Sequence, residues 1–242
     1  MASFKKIAHR GASGEYPENT RLAFAKAIEA RADMIELDCQ LSRDGHVVVF
    51  HDEKLRRITG ARGALRDKTL AQLKTLDIGQ WRKKAYKGER ILTLEEAIET
   101  VAGNIDLCVE IKSFAASPPG IELKLLFILS HYDYLDRTII SSFDYRVLDR
   151  VRELGPEVKI AVIFGSHIKD DPFAAANRLG AVSINVQKEL ASREFLRRAW
   201  DNGHDVYVWT INDVRQMEEF ASLGIQGMIT DFPEKFWKLN SR

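Results

Sequence analysis

Short β-branched and apolar runs alternate with segments of helical period along this chain, and that alternation limits the fold more than any other feature. It is the pattern of βα units building a parallel sheet. The expected strands are residues 6–9, 34–41, 107–111, 138–141, 158–163, 181–186, 205–209 and 227–230, eight in all. Between them, Leu94, Ala97, Ile98 and Val101 show the i, i+3, i+4, i+7 spacing of an amphipathic helix, with Thr93 and Glu96 placed as a capping box at its start. Weaker versions carry Leu125 and Leu129, Leu148 and Val151, Leu196 and Ala199, and Val214 and Met217; Gly203 and Gly224 fall where helix C-caps belong. Eight such units in 242 residues predict an α/β fold, a closed (β/α)8 TIM barrel, whose usual length is about 250 residues. An open doubly wound sheet is the alternative, but His9-Arg10-Gly11-Ala12-Ser13-Gly14 lacks the third glycine of a dinucleotide loop.

Strand spacing is irregular at one place. From Leu107 onward, marker residues of successive strands lie 21 to 32 residues apart, whereas 72 separate Ile35 from Leu107. Asp44-Gly45 followed by His46 to His51 reads as a hairpin returning along the second strand. Residues 54–90 then form an insertion after that strand, within a single domain spanning residues 1–242. The insertion also explains the charge balance. The whole chain has 36 basic and 35 acidic residues, yet the insertion alone holds twelve Lys or Arg against three acids, a net of +9 that leaves −8 elsewhere. A solvated basic face, a lid that draws in anionic substrates, and a contact for an anionic membrane surface are the readings it allows.

At 45% hydrophobic and 29% charged residues the chain is too apolar for disorder. Its overall neutrality argues against a nucleic-acid partner, and no run of about 18 apolar residues is present to make a stable membrane anchor. The first ten residues carry no apolar core of a signal peptide, and two cysteines are too few for a disulfide framework, so a cytoplasmic location is expected. Period-2 alternation points Cys39 outward and Cys108 inward, which makes a disulfide between them improbable. The oligomeric state is left open.

Active sites of such barrels gather at the C-terminal ends of the strands. The first strand ends in His9-Arg10, the second contains Glu36 and Asp38, the returning strand leads to His51-Asp52, and the third ends in Glu110-Ile111-Lys112. Alternation places Glu36 and Asp38 on one face, and Glu110 and Lys112 on one face, each directed into the barrel. Converging buried acids repel one another unless a cation joins them, and an all-oxygen set suits one divalent cation, Mg2+ or Ca2+. The competing reading is an ion-pair network with Arg10 and Lys112 and no metal. Two histidines beside the acids supply an acid and a base near neutral pH, and the two cations supply a clamp for a phosphate. Phosphodiester hydrolysis or intramolecular transfer is the reaction class that uses this inventory.

The ordered set His9-Arg10-Gly11, Pro17-Glu18-Asn19-Thr20, Glu36-Leu37-Asp38, His51-Asp52, Leu76-Asp77-Ile78-Gly79-Gln80-Trp81, Leu92 to Glu96, Glu110-Ile111-Lys112, Ser142-Phe143-Asp144, Trp209-Thr210-Ile211-Asn212 and Thr230-Asp231-Phe232-Pro233 resembles the glycerophosphodiester phosphodiesterase family over nearly the whole chain. The resemblance implies a barrel with a small insertion near its second strand. It also implies metal-dependent hydrolysis of glycerophosphodiesters, a small-molecule substrate, to sn-glycerol 3-phosphate and an alcohol. Carried over residue by residue, Glu36, Asp38 and Glu110 look like the metal ligands, His9 and His51 like the general base and general acid, and Arg10 and Lys112 like phosphate contacts. In the family picture the glycerol 2-hydroxyl attacks phosphorus first, giving a cyclic phosphate that water opens.

Other positions carry two readings each. Glu18 and Asn19 suit an N-cap pair of the first helix or a substrate contact. Trp209 suits an aromatic wall for the glycerol carbons or a packed core aromatic. Asp52 is placed to orient His51, while His46, His131, His167 and His204 read as surface or capping residues. The loop Ser113 to Gly120 matches no pattern. Two rival functions remain in view: a related barrel phospholipase or lysophospholipase D-type phosphodiesterase, which needs an apolar rim, and a non-catalytic sugar-phosphate binding barrel, which does not need both His9 and His51.

Overall fold

The computed structural model describes residues 4–240. The expected span of 1–242 therefore includes residues 1–3, 241 and 242, which lie outside the described residues. In chain order the elements are β1 (Lys5–His9), α1 (Arg21–Glu29), β2 (Met34–Leu41), β3 (Val47–Val49), α2 (Arg56–Thr59), α3 (Leu70–Lys74), β4 (Leu92–Thr93), α4 (Leu94–Val101), β5 (Asp106–Ile111), α5 (Ile121–His131), β6 (Thr138–Ser142), α6 (Tyr145–Leu154), β7 (Lys159–Phe164), α7 (Pro172–Leu179), β8 (Ser183–Gln187), α8 (Arg193–Asp201), β9 (Asp205–Trp209), α9 (Val214–Leu223) and β10 (Gly227–Thr230), followed by 3-10 turns over Pro233–Asn240.

Eight of these strands, β1, β2, β5, β6, β7, β8, β9 and β10, pair in parallel, and β1 meets both β2 and β10, which closes the sheet into a barrel. The eight expected strands are these eight, each within two residues at its ends. Period-2 alternation sorts their side chains into two cores. Ile7, Met34, Cys108, Ile139, Ala161, Tyr207 and Ile229 form the inner cluster, while Ile35, Leu37, Cys39, Leu107 and Val109 face the ring of helices. Both thiols are buried and unpaired, on opposite sides of the sheet as the alternation requires.

Helix α4 shows how the outer layer is fixed. Thr93 accepts a hydrogen bond from Glu96 N and the Glu96 carboxylate accepts one from Thr93 N, a complete capping box. Its Leu94, Ala97, Ile98 and Val101 are buried, and the aliphatic ones contribute roughly 1.5–3 kcal/mol each on the usual area scale. Gly203 and Gly224 take φ of 79° and 83° just past α8 and α9, as helix-ending glycines do.

The hairpin reading of residues 44–51 holds. Val47, Val48 and Val49 run antiparallel to Leu41, Gln40 and Cys39. Strand β3 is then apolar on both faces: Val47 and Val49 join the main core, whereas Val48 and Phe50 join a separate cluster with Leu55, Ile58, Leu65, Leu73, Ile78 and Ile91. Segment 54–90 thus carries a small core of its own on the far side of β3. The two-residue strand β4, which pairs with β3, has no counterpart in the sequence reading.

Two expectations are corrected. Glu18 and Asn19 do not cap α1, because Thr20 does, accepting from Ala23 N at 3.1 Å. His204 is not at the surface. It is buried, with Nδ1 on Ala181 O and Nε2 on Asn177 Oδ1, so both ring nitrogens are occupied between α7 and β8.

Candidate active site

At the C-terminal mouth of the barrel the strand register brings distant residues level. His9 pairs with Glu36 across β1 and β2, and Asp38 pairs with Glu110 across β2 and β5. One side-chain oxygen from each of Glu36, Asp38 and Glu110 lies within 4.8 Å of the others, all three residues being buried. Alternation along the strands brings these acids together, and they could hold a cation. The chemistry of the donor set fits: three hard oxygens, and one of them, Asp38 Oδ1, has no aligned hydrogen-bond donor although it is sealed from solvent. Lys112 Nζ stands 2.9 Å from that oxygen as an ion pair without hydrogen-bond alignment, and it also contacts Glu110. Arg10 Nε stands 3.3 Å from the other Asp38 oxygen in the same unaligned way. The ion-pair network is thus built from the same residues that could hold a cation.

Without a cation the acids split. Burial, then the Asp38 charge, raises the Glu36 carboxyl well above the carboxylate range. Burial also opposes ionisation of Asp38, but Lys112 and Arg10 overcome it and hold that group ionised. Burial opposes the charge on Lys112 as well, and Asp38 with Glu110 outweighs it, so the ammonium is firmly retained.

The turn after β1 is shaped for this work. Arg10 has φ of 55°, a left-handed value that costs a non-glycine residue about 1–3 kcal/mol, and its backbone N–H thereby donates to Glu36 Oε2 at 3.0 Å. Gly11 follows at φ 79°, where a Cβ would meet the Ala23 backbone at 2.7 Å, so no other residue fits there. Asn19, also left-handed at φ 58°, donates from Nδ2 to Asp38 Oδ2 at 2.8 Å.

Each histidine rests on a carboxylate through Nδ1. His9 meets Asp231 Oδ1 at 2.6 Å, and His51 meets Asp52 Oδ1 at 2.7 Å, which leaves each Nε2 for the cavity side. Asp231 is fixed in turn by Asn212 Nδ2 at 2.6 Å and Ser13 Oγ at 3.1 Å. Burial works against its charge, yet these bonds, His9 first, bring its pKa down to about 2. For His9, burial and Arg10 oppose protonation, and the Asp231 hydrogen bond with the charges of Glu36 and Asp231 reverse the balance upward. For His51 burial prevails, and protonation is disfavoured.

His9, His51, Arg10, Lys112, Glu36, Glu110 and Trp209 line one cavity of about 220 Å3. Asp38 is fully buried and does not line it. Trp209 is both wall and packed residue: its Nε1 donates to Asn185 O at 3.0 Å and its ring meets Phe143 edge-on at 5.7 Å. Glu18 and Asn19 stand behind this cavity, on Arg10 and Asp38, and do not line it. A second, more open groove of about 500 Å3 begins at His51 and Lys112 and runs past Lys54, Phe114, Asp144 and His167. Asp231 was missed as a site residue, although it follows the last strand directly, just as His9 closes the first. Arg57, which grips Glu18 and Asp52, carries no motif that points to it.

A parallel eight-stranded barrel with an acid triad, two carboxylate-backed histidines and two cations at its C-terminal mouth defines a class of phosphodiester-cleaving barrels. A family model described as "Glycerophosphoryl diester phosphodiesterase family" matches residues 9–235. The chain is 40% identical over 230 residues to a glycerophosphodiester phosphodiesterase of Caldanaerobacter subterraneus subsp. tengcongensis, covering 94% of each. It is 32% identical to one of Bacillus subtilis, covering 96% of this chain and 85% of the relative. Among solved structures, an Oleispira antarctica phosphodiesterase in complex with the product sn-glycerol-3-phosphate superposes with a TM-score of 0.90 at 28% identity, covering 100% of this chain and 98% of that one. The chain belongs to the glycerophosphoryl diester phosphodiesterase family.

Proposed function

We propose that this protein hydrolyses glycerophosphodiesters to sn-glycerol 3-phosphate and an alcohol in a divalent-cation-dependent reaction, with His9 and His51 exchanging the protons. The observation that carries the reading is the joint placement of both histidines, each with its Nδ1 on a carboxylate, in one cavity with the acid triad, Arg10 and Lys112.

Glu36, Asp38 and Glu110 would hold Mg2+ or Ca2+, which when bound supplies Lewis-acid polarisation of the phosphoryl oxygens and cancels the mutual repulsion of the three acids. Arg10 and Lys112 bind the phosphate and neutralise its developing charge. Asp231 holds His9 with Nε2 free to take the proton of the glycerol 2-hydroxyl as that oxygen attacks phosphorus. His51, bordering both the closed cavity and the open groove, gives its proton to the departing alcohol, whose headgroup the groove receives. The burial that makes protonated His51 the scarcer form also makes it the stronger acid, and the raised His9 is by the same logic the stronger base once neutral. The roles reverse when water opens the cyclic phosphate. Trp209 covers the glycerol carbons, while Glu18 and Asn19 serve the substrate indirectly by fixing Arg10 and Asp38.

We read the whole chain as one barrel domain with residues 54–90 folded into it. A cytoplasmic location is part of the same reading, supported by two unpaired buried thiols. Among the described residues no helix is long and apolar enough to cross a membrane.

The test is release of the headgroup alcohol from glycerophosphocholine, glycerophosphoethanolamine and lysophosphatidylcholine, with glycerol 3-phosphate as the co-product of the first two and an acylglycerol phosphate of the third, in Mg2+, Ca2+ or EDTA. Product from the glycerophosphodiesters with metal and none with EDTA is expected. No product from any diester under any metal ends the proposal, and product only from the lysophospholipid favours the phospholipase D reading. His9→Ala and His51→Ala should each lower kcat by about 10²–10⁴-fold with the fold intact.

A further inference from the structure

Arg57 lies on α2, in the segment between β3 and β4, and reaches back over the mouth of the barrel. Its Nε donates to Asp52 Oδ2 at 2.6 Å and its Nη2 to Asp52 Oδ1 at 2.9 Å. Its Nη1 and Nη2 also donate to Glu18 Oε2 at 2.9 Å and Oε1 at 2.7 Å. Asp52 Oδ1 is the oxygen that holds His51 Nδ1, and Glu18 Oε1 is the oxygen that Arg10 Nη1 grips at 2.9 Å. One guanidinium therefore joins the support of a histidine to the support of a phosphate-binding arginine.

We infer that Arg57 is a positioning residue for the reaction: by clamping Asp52 against His51 and Glu18 against Arg10, it lets segment 54–90 set the orientation of both site residues. The inference rests on the function proposed above. A planar fork with five N–H groups can serve two carboxylates bidentately, and an ammonium cannot. Asp52 needs the clamp because it is the chain neighbour of the histidine it orients and is partly exposed, so that water competes for its oxygens. The fork is itself held in place. The Trp81 ring lies 5.6 Å from the guanidinium carbon, and Leu55 and Ile58, on either side of Arg57 in sequence, are anchored in the small core. A plain surface ion pair would have no comparable grip on the chemistry.

The experiment compares Arg57→Ala, Arg57→Lys and His51→Ala on two substrates, glycerophosphocholine and the glycerol phosphodiester of p-nitrophenol. Choline must be protonated as it leaves, whereas p-nitrophenolate departs as the anion. Both Arg57 variants should lose roughly tenfold or more in the single-turnover rate of alcohol release from glycerophosphocholine at saturation, with the half-saturating concentration changing less, and several-fold less than that on the p-nitrophenyl ester. Millimolar guanidinium should restore part of the loss in Arg57→Ala but not in Arg57→Lys, which keeps charge and bulk and guards against a folding defect. Equal losses on the two esters without rescue overturn the inference. If His51→Ala slows the single-turnover release of choline and of p-nitrophenolate equally, before water opens the cyclic phosphate, it is the acid assignment of His51 that fails. Guanidinium rescue then decides for Arg57, its presence keeping the positioning role and its absence ending it.

Discussion

Asp231 Oδ1 lies 2.6 Å from His9 Nδ1, so residues 222 positions apart in the chain share a hydrogen bond across the seam where β10 meets β1. The carboxylate fixes which imidazole nitrogen carries the proton. Asp231→Asn keeps the shape but offers an amide that can turn either way, and kcat should fall by roughly 10²-fold or more with little change in KM. An unchanged kcat would show that His9 needs no partner.

The same carboxyl makes a pH prediction. Its folded pKa of about 2 lies below the unfolded value of about 3.9, so the stability it contributes is fully present above the unfolded value and is lost as pH falls toward the folded one. The amount is about 2 kcal/mol on this scale. Denaturant unfolding of wild type and Asp231→Asn should therefore diverge near neutrality and converge at about pH 2. A gap that is constant over that range counts against the linkage.

Removing charge from the acid triad should separate stability from activity. Glu36 has its pKa raised by burial and by Asp38, so in EDTA its ionised form weakens the fold increasingly as pH rises above the unfolded carboxyl value. Glu36→Gln should be more stable than wild type by about 1 kcal/mol at pH near 8, equal to it in acid, and inactive. Conversely, Mg2+ or Ca2+ should raise the Tm of wild type and leave that of Asp38→Asn unmoved. A metal-dependent Tm shift that survives Asp38→Asn would place the cation elsewhere.

Cys108 is pushed up to about 12, by burial and then by the charge of Glu36, and burial with Asp38 pushes Cys39 well above its usual range. Neither thiol should react with iodoacetamide in the native protein, and both should react once denaturant opens the barrel. Mass spectrometry of labelled protein decides it; prompt native labelling of either cysteine contradicts the burial described here.

Salt should test the basic insertion. Four of its cations are already matched by acids: Arg57 by Glu18 and Asp52, Arg66 by Glu53, Lys74 by Glu96 and Arg90 by Asp77. That leaves a weaker attractive field than the bare sum of charges implies. We expect kcat/KM to fall only a few-fold between about 0.01 and 0.5 M ionic strength, and Lys54→Glu, at the open groove, to remove part of that dependence. No dependence at all argues for a merely solvated face.

The barrel was readable because its evidence is local. The parallel strands are buried on both faces over their central residues and so appear as short apolar runs, as in residues 160–163 of β7, all buried. The acids were readable for the same reason: Glu36, Asp38 and Glu110 interrupt such runs with charge. What escaped was either too short or too distant. Strand β4 is two residues long and shares Thr93 with the cap of α4, so it leaves no period to detect. The grip of Arg57 on Glu18 joins positions 39 apart that no pattern links, and it exists only because the small core carries α2 over the mouth.

The pairing of β1 with β10 has a consequence for synthesis. His9 leaves the ribosome well before the carboxylate that holds it, which comes 222 positions later, just after β10. A nascent chain arrested anywhere before β10 lacks both the closing strand and that carboxylate. The His9–Asp231 bond therefore forms only with the event that seals the sheet, and a product terminated before β10 carries His9 without that support.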